Sequence, residues 1–294
     1  MHLPPLYAHR LGRAYGPDSS ANALAGALRA GVDGLETDVC LTADGELALL
    51  HDPLLSLGTT LKGWAHERTA AEIARGRILN RDGVPTAERP LTLDELLAQV
   101  PADLPIQVEV KAHADPDLAR RTAETVCERY RRGRERRRLE LISFHSAACA
   151  TAAAYGFRSR LVVWADYAPE ALAAWAVSRG VTGVSVEHFL LSPKLVAVFR
   201  LARLSVNTGT VNDAELLART IELASPDAVC TDRPAELHAE ALQVGRRVNA
   251  GDVRRPARYE LAADRPGTRA HAVLELHGDD GLGSESVVDR IAAR

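Results

Sequence analysis

The feature that most constrains the fold is a regular alternation of short β-rich segments with amphipathic stretches along most of the chain. Segments rich in valine, isoleucine and leucine predict strands at residues 6–9, 34–39, 46–51, 106–111, 139–144, 160–164, 183–187, 204–207 and 228–231. Apolar residues at helical spacing predict helices at residues 21–30, 93–99, 117–131, 169–178, 193–202 and 213–224. This alternation predicts parallel βα units in an α/β fold.

Nine strands are one more than a (β/α)₈ TIM barrel contains, and the turn at Asp44-Gly45 accounts for the difference. Asp-Gly favours a tight hairpin, whereas neighbouring parallel strands need a connection of about a dozen residues or more. We therefore interpret residues 46–51 as the return arm of a hairpin on the second strand, which leaves eight barrel strands. A doubly wound sheet is the alternative, but residues 9–12 lack the glycine-rich pattern of a nucleotide-binding loop.

The barrel is predicted to occupy residues 1–246, with an inserted segment around residues 52–90 that follows the second strand and its hairpin. No βα pattern is visible in that segment, and long loops of this kind in compact domains are commonly functional. Residues 247–294 are predicted to form a C-terminal extension, to which the sequence assigns no role.

Charge and cysteine content narrow the possible partners and the compartment. The net charge of −3 carries no signature of binding to nucleic acid or to an anionic membrane. The four cysteines lack CxxC spacing, which gives zinc no support and favours a reducing compartment. The first ten residues lack the apolar core of a signal peptide, and no apolar run is long enough to span a membrane. We therefore expect a cytoplasmic protein that binds neither nucleic acid nor, stably, membranes; the oligomeric state stays open.

Seven polar residues are predicted to meet at one rim of the barrel. They lie on, or directly after, predicted strands, and most of them are at the C-terminal ends: His9, Arg10, Glu36, Asp38, His51, Glu109 and Lys111. TIM barrels build their active sites at this rim. Residues two apart on a strand share a face, so the members of each closely spaced pair point the same way.

Three of these residues form a candidate metal site. Leu35 and Val39 are expected to face the surrounding helices, so Glu36 and Asp38 face the barrel interior. Buried carboxylates are costly unless they are paired or bound to a metal, and Glu109 adds a third negative charge. The sequence therefore predicts one divalent cation here, and an all-oxygen ligand set suits Mg²⁺ or Ca²⁺.

The other four residues indicate chemistry on a phosphate ester. The guanidinium of Arg10 can hold an anionic oxygen, and Lys111 adds a fixed positive charge beside the carboxylates. His9 and His51 can act as acid and base. With a cation, these groups would neutralise the charge that develops on phosphoryl oxygens.

Six sequence blocks, in order, resemble those of the glycerophosphodiester phosphodiesterases, which are barrel enzymes similar to phosphatidylinositol phospholipase C. The blocks are Ala8-His9-Arg10; residues 34–39 with Thr42, Asp44-Gly45 and Leu50-His51-Asp52; Val108-Glu109-Val110-Lys111; Ser143-Phe144; Thr210-Val211-Asn212-Asp213; and Thr231-Asp232-Arg233-Pro234. The resemblance covers nearly the whole barrel, and the order of the blocks makes it specific.

The resemblance implies hydrolysis of a glycerophosphodiester to glycerol 3-phosphate and an alcohol. It implies the same roles for the seven rim residues, and attack by the substrate's own glycerol hydroxyl to give a cyclic phosphate that water opens. A lysophospholipase D and a cyclising phospholipase-type phosphodiesterase are alternative enzymes. A catalytically silent barrel used as a binding module is the alternative of another class, although all seven rim positions are intact.

Three positions depart from the family pattern. Leu11 stands where the family usually has glycine, and Ala21 interrupts its Pro-Glu-Asn-Thr block. A polar group near the site is therefore either missing or supplied from elsewhere in the chain, with Asp18 as the candidate. Gly209 replaces the aromatic residue that usually precedes Thr-Val-Asn, which removes a stacking surface for substrate. The last change bears on the identity of the substrate more than on the type of reaction.

Overall fold

A computed structural model of the chain describes residues 2–249. Its strands are β1 Leu6–Ala8, β2 Gly34–Leu41, β3 Leu47–Leu49, β4 Ile106–Val110, β5 Leu139–Ser143, β6 Arg158–Val163, β7 Gly183–Glu187, β8 Ser205–Gly209 and β9 Ala228–Thr231. Its helices are α1 Ala21–Ala30, α2 Ala70–Ile73, α3 Leu93–Gln99, α4 Pro116–Tyr130, α5 Glu135–Arg138, α6 Ser146–Ala154, α7 Pro169–Arg179, α8 Pro193–Leu201, α9 Ala214–Ala224 and α10 Pro234–Asn249.

Eight of the strands close into a parallel barrel. Around the barrel the order is β1, β2, β4, β5, β6, β7, β8 and β9, and β1 pairs in parallel with both β2 and β9. This closure confirms the predicted (β/α)₈ barrel and excludes the doubly wound sheet, which would leave two open edges. Strand ends differ from the predicted ones by no more than two residues.

The ninth strand is the return arm of a hairpin, as the Asp-Gly turn predicts. Strand β3 runs antiparallel to β2, with Val39 opposite Leu49 and Leu41 opposite Leu47. Gly45 takes a φ of 79°, a value that only glycine adopts readily, so the turn depends on this residue. The hairpin lengthens β2 beyond the barrel rim and places residues 50–52 beside the mouth.

Side chains along each strand alternate between two faces, which separates apolar residues from polar ones. Leu35, Val39 and Val108 are fully buried in the core between the barrel and its helices. The opposite faces point into the barrel, where the Gln107 amide donates to Glu140 at 2.9 Å below the mouth. In the same layer, Glu140 pairs with Arg160 at 3.0 Å. The residues closer to the C-terminal ends of the same strands form the mouth.

The inserted segment, residues 52–90, packs beside the mouth. It contains α2 and two short 3₁₀ turns, and bridges join Leu54 to Trp64, Thr59 to Ile78 and Leu79 to Pro85. A small core holds it on the β2–β3 hairpin, formed by Cys40, Ala48, Leu50, Leu55, Ala65 and Ile73.

Helix α10 runs three residues past the predicted end of the barrel at residue 246. The rest of the predicted C-terminal extension, residues 250–294, lies outside the described residues. Among residues 2–249, none of the helices combines the length and the hydropathy needed to cross a membrane.

Candidate active site at the barrel mouth

Three buried carboxylates meet at the C-terminal ends of β2 and β4. Glu36, Asp38 and Glu109 each contribute an oxygen to a cluster whose atoms lie within 4.8 Å of one another. The register explains the meeting, because Asp38 is the direct neighbour of Glu109 across the β2–β4 pair. All three side chains are largely withdrawn from solvent.

Some of the carboxylate oxygens in this cluster make no hydrogen bond. Within residues 2–249, the buried Glu36 Oε1 and Asp38 Oδ2 have no hydrogen-bond partner. Buried polar atoms are nearly always satisfied, so unpartnered carboxylate oxygens within one cluster fit the ligand set of a bound cation. A hard divalent cation prefers this donor set, and the residues therefore fit Mg²⁺ or Ca²⁺.

The electrostatics of the cluster agree with that interpretation. Burial and the charges of Asp38 and Glu109 raise the pKa of Glu36 well above its ordinary value. Burial also raises the pKa of Glu109, although Lys111 opposes the shift. Burial alone would raise the pKa of Asp38, but the surrounding positive charges, Lys111 first, hold it below its ordinary value. The protein alone does not balance three ionised carboxylates, and a cation would.

Two cationic side chains border the carboxylates. Lys111 Nζ lies 2.5 Å from Glu109 Oε1 and 3.2 Å from Asp38 Oδ1. These charges keep the pKa of Lys111 above its ordinary value despite its burial. The Arg10 guanidinium lies 3.8 Å from Asp38 Oδ2, and its backbone N–H donates to Glu36 Oε2 at 2.8 Å. Both side chains can therefore contact an anion that binds beside the carboxylate cluster.

His9 is fixed by a carboxylate on the strand that closes the barrel. Its Nδ1 lies 2.7 Å from Asp232 Oδ1, directly after β9. Burial would raise the pKa of Asp232, but hydrogen bonding and charge from His9 lower it. This carboxylate is therefore ionised and accepts a hydrogen bond from the Nδ1–H group of His9. Asp232 Oδ2 also accepts from Asn212 at 2.9 Å and from Arg81, in the inserted segment, at 3.3 Å. The free Nε2 of His9 can then accept a proton.

His51 has a carboxylate partner of its own at the end of the hairpin. Its Nδ1 lies 3.2 Å from Asp52 Oδ1, and both side chains are about one-third exposed. The hydrogen bond from His51 lowers the pKa of Asp52. Asp52 orients the imidazole ring, which suits His51 to proton transfer at the open side of the mouth.

A cleft of about 640 Å³ opens beside these groups. Its walls come from residues 10–18, from the end of the hairpin and from the inserted segment, and His51 and Arg10 are among its lining residues. The cleft combines apolar side chains such as Leu55 and Ile78 with charged ones such as Arg81. It can accept a polar or amphipathic group attached to a phosphate bound at the carboxylates.

The three departures from the family pattern have structural counterparts. Leu11 adopts a φ of 61°, the left-handed region that favours glycine, and its fully buried side chain offsets that strain. Asp18 accepts from Arg10 Nη1 at 2.5 Å and from Arg13 Nε at 2.6 Å, so it does supply a polar group at the mouth. At Gly209 a Cβ atom would lie 2.7 Å from the Cβ of Cys230, so this backbone has no room for an aromatic residue.

The structure thus brings all seven predicted residues to one mouth, and it adds three that the sequence argument did not assign. Asp232 holds His9, and the Thr-Asp-Arg-Pro block after the last strand is the signal that could have identified it. Asp52 directly follows His51 in the block Leu50-His51-Asp52. Arg81 lies in the inserted segment, and no motif in the sequence marks it.

Comparison with known proteins agrees with this geometry. A model of the "Glycerophosphoryl diester phosphodiesterase family" matches residues 9–236. A "Glycerophosphodiester phosphodiesterase" of Bacillus altitudinis is 41% identical over 74 residues, which are 25% of this chain and only 30% of that protein. A "Probable glycerophosphodiester phosphodiesterase 2" of Mycobacterium tuberculosis is 25% identical over 232 residues, covering 74% of this chain and 82% of the relative.

A solved structure extends the likeness to three dimensions. A phosphodiesterase of Oleispira antarctica, in complex with the product sn-glycerol-3-phosphate, superposes with a TM-score of 0.68 at 22% identity. The superposition covers 82% of this chain and 97% of the other. At this identity the likeness shows the shared fold.

Proposed function

Because the chain belongs to the glycerophosphoryl diester phosphodiesterase family and is an enzyme of that type, we propose that it hydrolyses a glycerophosphodiester to glycerol 3-phosphate and an alcohol. The observation that carries most weight is the buried carboxylate triad with its unpartnered oxygens. Two positively charged side chains border it, and so do two histidines that each have a carboxylate partner. The product bound to the Oleispira enzyme supports the choice of glycerol 3-phosphate. The reaction would serve lipid metabolism, since glycerophosphodiesters are deacylated phospholipids.

One divalent cation, Mg²⁺ or Ca²⁺, would be held by Glu36, Asp38 and Glu109. When bound, it supplies Lewis-acid stabilisation of the negative charge on a phosphoryl oxygen. Lys111 and Arg10 contact the other phosphoryl oxygens, and the guanidinium orients the group through its planar pair of donors. Both side chains are mostly buried, so their charges are poorly screened and act strongly on a bound phosphate.

The two histidines move the protons. His9 Nε2 takes the proton of the glycerol 2-hydroxyl as its oxygen attacks phosphorus. The bond from phosphorus to the alcohol oxygen breaks, and protonated His51, which lines the cleft, gives that oxygen a proton. The products of this step are a five-membered cyclic phosphate and the free alcohol. A water molecule then adds across the bond from phosphorus to the 2-oxygen with the histidine roles reversed, which leaves glycerol 3-phosphate.

Free thiols are consistent with a reducing compartment. Among residues 2–249 the four cysteines are unbridged, and Cys40, Cys127 and Cys149 are buried. We expect the enzyme to act in the cytoplasm on a small phosphodiester.

The direct test is product analysis with the purified protein. Glycerophosphocholine and glycerophosphoethanolamine are incubated with EDTA, Mg²⁺ or Ca²⁺, and phosphorus NMR identifies the products. We expect cation-dependent release of glycerol 3-phosphate, lost in His9→Ala and in Glu36→Ala. His2→Ala is the matched control, because that side chain bonds only the neighbouring carbonyl near the N-terminus.

Each alternative gives a different result. Accumulation of the cyclic phosphate without further hydrolysis would indicate a cyclising phosphodiesterase. Cation binding without turnover of either compound would leave the substrate assignment wrong. If the protein neither binds a cation nor cleaves either compound, the result would indicate a silent barrel used as a binding module.

A further inference from the structure

Arg81 reaches the catalytic hydrogen bonds from outside the barrel. It lies in the inserted segment, and its guanidinium Nη2 donates at 3.3 Å to Oδ2 of Asp232, which is 151 residues away in the chain. The other oxygen of that carboxylate, Oδ1, is the partner of His9. The side chain of Arg81 is 60% exposed, whereas that of Asp232 is 13% exposed. An exposed guanidinium thus contacts the mostly buried carboxylate that holds the general base of the proposed reaction.

This contact is not what anchors the inserted segment. The segment packs on the β2–β3 hairpin through its small apolar core, and near its other end the Asn22 amide of α1 donates to Glu88 Oε1 at 2.5 Å. An ion pair with so exposed a guanidinium stabilises a protein little, because water screens the charges. The Arg81–Asp232 contact therefore contributes little to the fold, and its consequence lies at His9.

The loop that carries Arg81 is held in a fixed shape. Residues 79–85 form a tight turn, in which Asn80 Oδ1 accepts from the backbone N–H groups of Asp82 and Val84 at 3.0 and 2.8 Å. A bridge between the first and last residues of the turn closes it at the base. The guanidinium is therefore presented to the mouth from a defined point, as a supporting group of a catalytic site must be.

Asp232 is held from two sides. On the barrel side, Asn212 Nδ2 donates to Asp232 Oδ2 at 2.9 Å, and Asn212 Oδ1 accepts from the Asp232 backbone N–H at 2.8 Å. Arg81, which lines the cleft, adds a second donor to Oδ2. Two donors on Oδ2 fix the plane of the carboxylate and leave Oδ1 for the Nδ1–H group of His9. The hydrogen bond to one ring nitrogen decides the tautomer and orientation of a functional histidine.

From this chain of contacts we propose that Arg81 is a positioning residue: it holds Asp232 so that His9 keeps the lone pair of Nε2 directed at the glycerol hydroxyl. The inference rests on the proposed phosphodiesterase activity. It gives the inserted segment a part in the reaction, because the segment completes the hydrogen-bond chain behind the base. Arg81 lies between the second and third of the six sequence blocks, so this part is played by a residue outside them.

The kinetic test compares Arg81→Ala with Arg77→Ala on glycerophosphocholine and the activating cation. Arg77 is the matched control, because it is an exposed arginine of the same segment whose guanidinium donates to the Ala87 carbonyl. We expect Arg81→Ala to lower kcat about five- to tenfold with KM unchanged within about twofold, and Arg77→Ala to change neither. Guanidinium ions, well below the concentration that unfolds the protein, should restore part of the kcat of Arg81→Ala, since they can occupy the exposed position.

A double variant tests whether Arg81 acts through Asp232. In the Asp232→Asn background the carboxylate that Arg81 positions is gone, so adding Arg81→Ala should change kcat by less than about twofold. A residue that contacts the substrate directly would give the same loss in both backgrounds.

A spectroscopic test does not depend on turnover. Proton–nitrogen correlation spectra of the histidine side chains at about pH 8, where free imidazole is neutral, report the tautomer of each ring. His9→Ala identifies the His9 signals. Wild type should show His9 protonated at Nδ1, and Arg81→Ala should move the two nitrogen signals toward a mixture of tautomers, whereas Arg77→Ala should match wild type.

Each other result has a definite meaning. An unchanged kcat with an unchanged tautomer in Arg81→Ala would overturn the proposal, as would a rise in KM alone or an equal loss in the Asp232→Asn background. The same loss in Arg77→Ala, together with a lower Tm in both variants, would also overturn it, since Arg81 would then only support the fold of the segment. Absence of turnover in wild type would count against the phosphodiesterase activity, and the tautomer of His9 would still decide the role of Arg81.

Discussion

Replacing Glu36 by glutamine removes one charge from the carboxylate triad and leaves its shape almost unchanged. The wild-type pKa of Glu36 is raised by burial and by its two acidic neighbours, so in the cation-free protein the folded state holds a proton that the unfolded chain releases. The linked stability is present below the ordinary carboxyl pKa and is lost as the pH rises through the raised pKa of the folded state. Cation-free wild type should therefore lose stability between weakly acidic and neutral pH, and Glu36→Gln should escape that loss.

Adding a divalent cation should make the wild type more stable than Glu36→Gln. At a free concentration one hundred times its dissociation constant, a bound ion stabilises the wild type by about 2.7 kcal/mol. For a chain of this size, with about 2 cal/mol/K of unfolding entropy per residue, that corresponds to a rise in Tm of about 4–5 °C. If loss of one of three carboxylate ligands weakens binding about 100-fold, the same concentration stabilises Glu36→Gln by about 0.4 kcal/mol, or about 1 °C.

Thermal unfolding followed by circular dichroism, at pH 5 to 8 with EDTA, Mg²⁺ or Ca²⁺, measures both effects, and titration calorimetry supplies the dissociation constant. Glu140→Gln is the matched control, because it neutralises a buried glutamate in the lower layer, paired with Arg160. That control should lower Tm yet keep the full gain from the cation. The reasoning is refuted if Glu36→Gln retains the wild-type gain, or if wild type shows no gain in either ion.

Three further predictions concern single positions. Asp232→Asn should lower kcat about 10²- to 10⁴-fold with little change in KM, since an amide can donate to Nδ1 and favour the wrong tautomer of His9. Steady-state kinetics measure this, and a decrease in kcat of less than about threefold would contradict it. Arg10→Lys keeps a positive charge but loses the planar pair of donors, so KM should rise about tenfold while the cation-induced Tm gain persists; an unchanged KM would count against phosphate contact. Gly183→Ala places a Cβ atom 2.2 Å from the Ser205 carbonyl oxygen and should destabilise the fold by about 1–3 kcal/mol, measured by urea unfolding; a stability equal to wild type would show that the strands can separate freely.

Much of the barrel could be predicted because its causes are local. The two-residue period of β2 separates Leu35 and Val39 from Glu36 and Asp38, and that period alone assigns the carboxylates to the interior. The Asp-Gly turn likewise identifies the hairpin, because its geometry depends on a glycine with positive φ. Parallel strands then bring the carboxyl ends of β2 and β4 to the same rim, where the triad forms.

The remaining features depend on contacts between distant parts of the chain. His9 and Asp232 are separated by 223 residues and meet because β9 pairs with β1 when the barrel closes. Arg81 reaches the same carboxylate from the inserted segment, whose fold follows no periodic pattern. Gly209 looks like a lost stacking residue in the sequence, and the structure adds that Cys230 leaves no room there for a side chain.

The sequence by itself therefore determined the barrel, the hairpin and the residues that face the mouth, because hydrophobic period, turn chemistry and strand direction act over a few residues. Only the tertiary structure decided which carboxylate holds each histidine and where the cleft opens. Those features exist because ring closure sets the angular position of every strand, and no local pattern in the chain encodes which loops then face each other across the mouth.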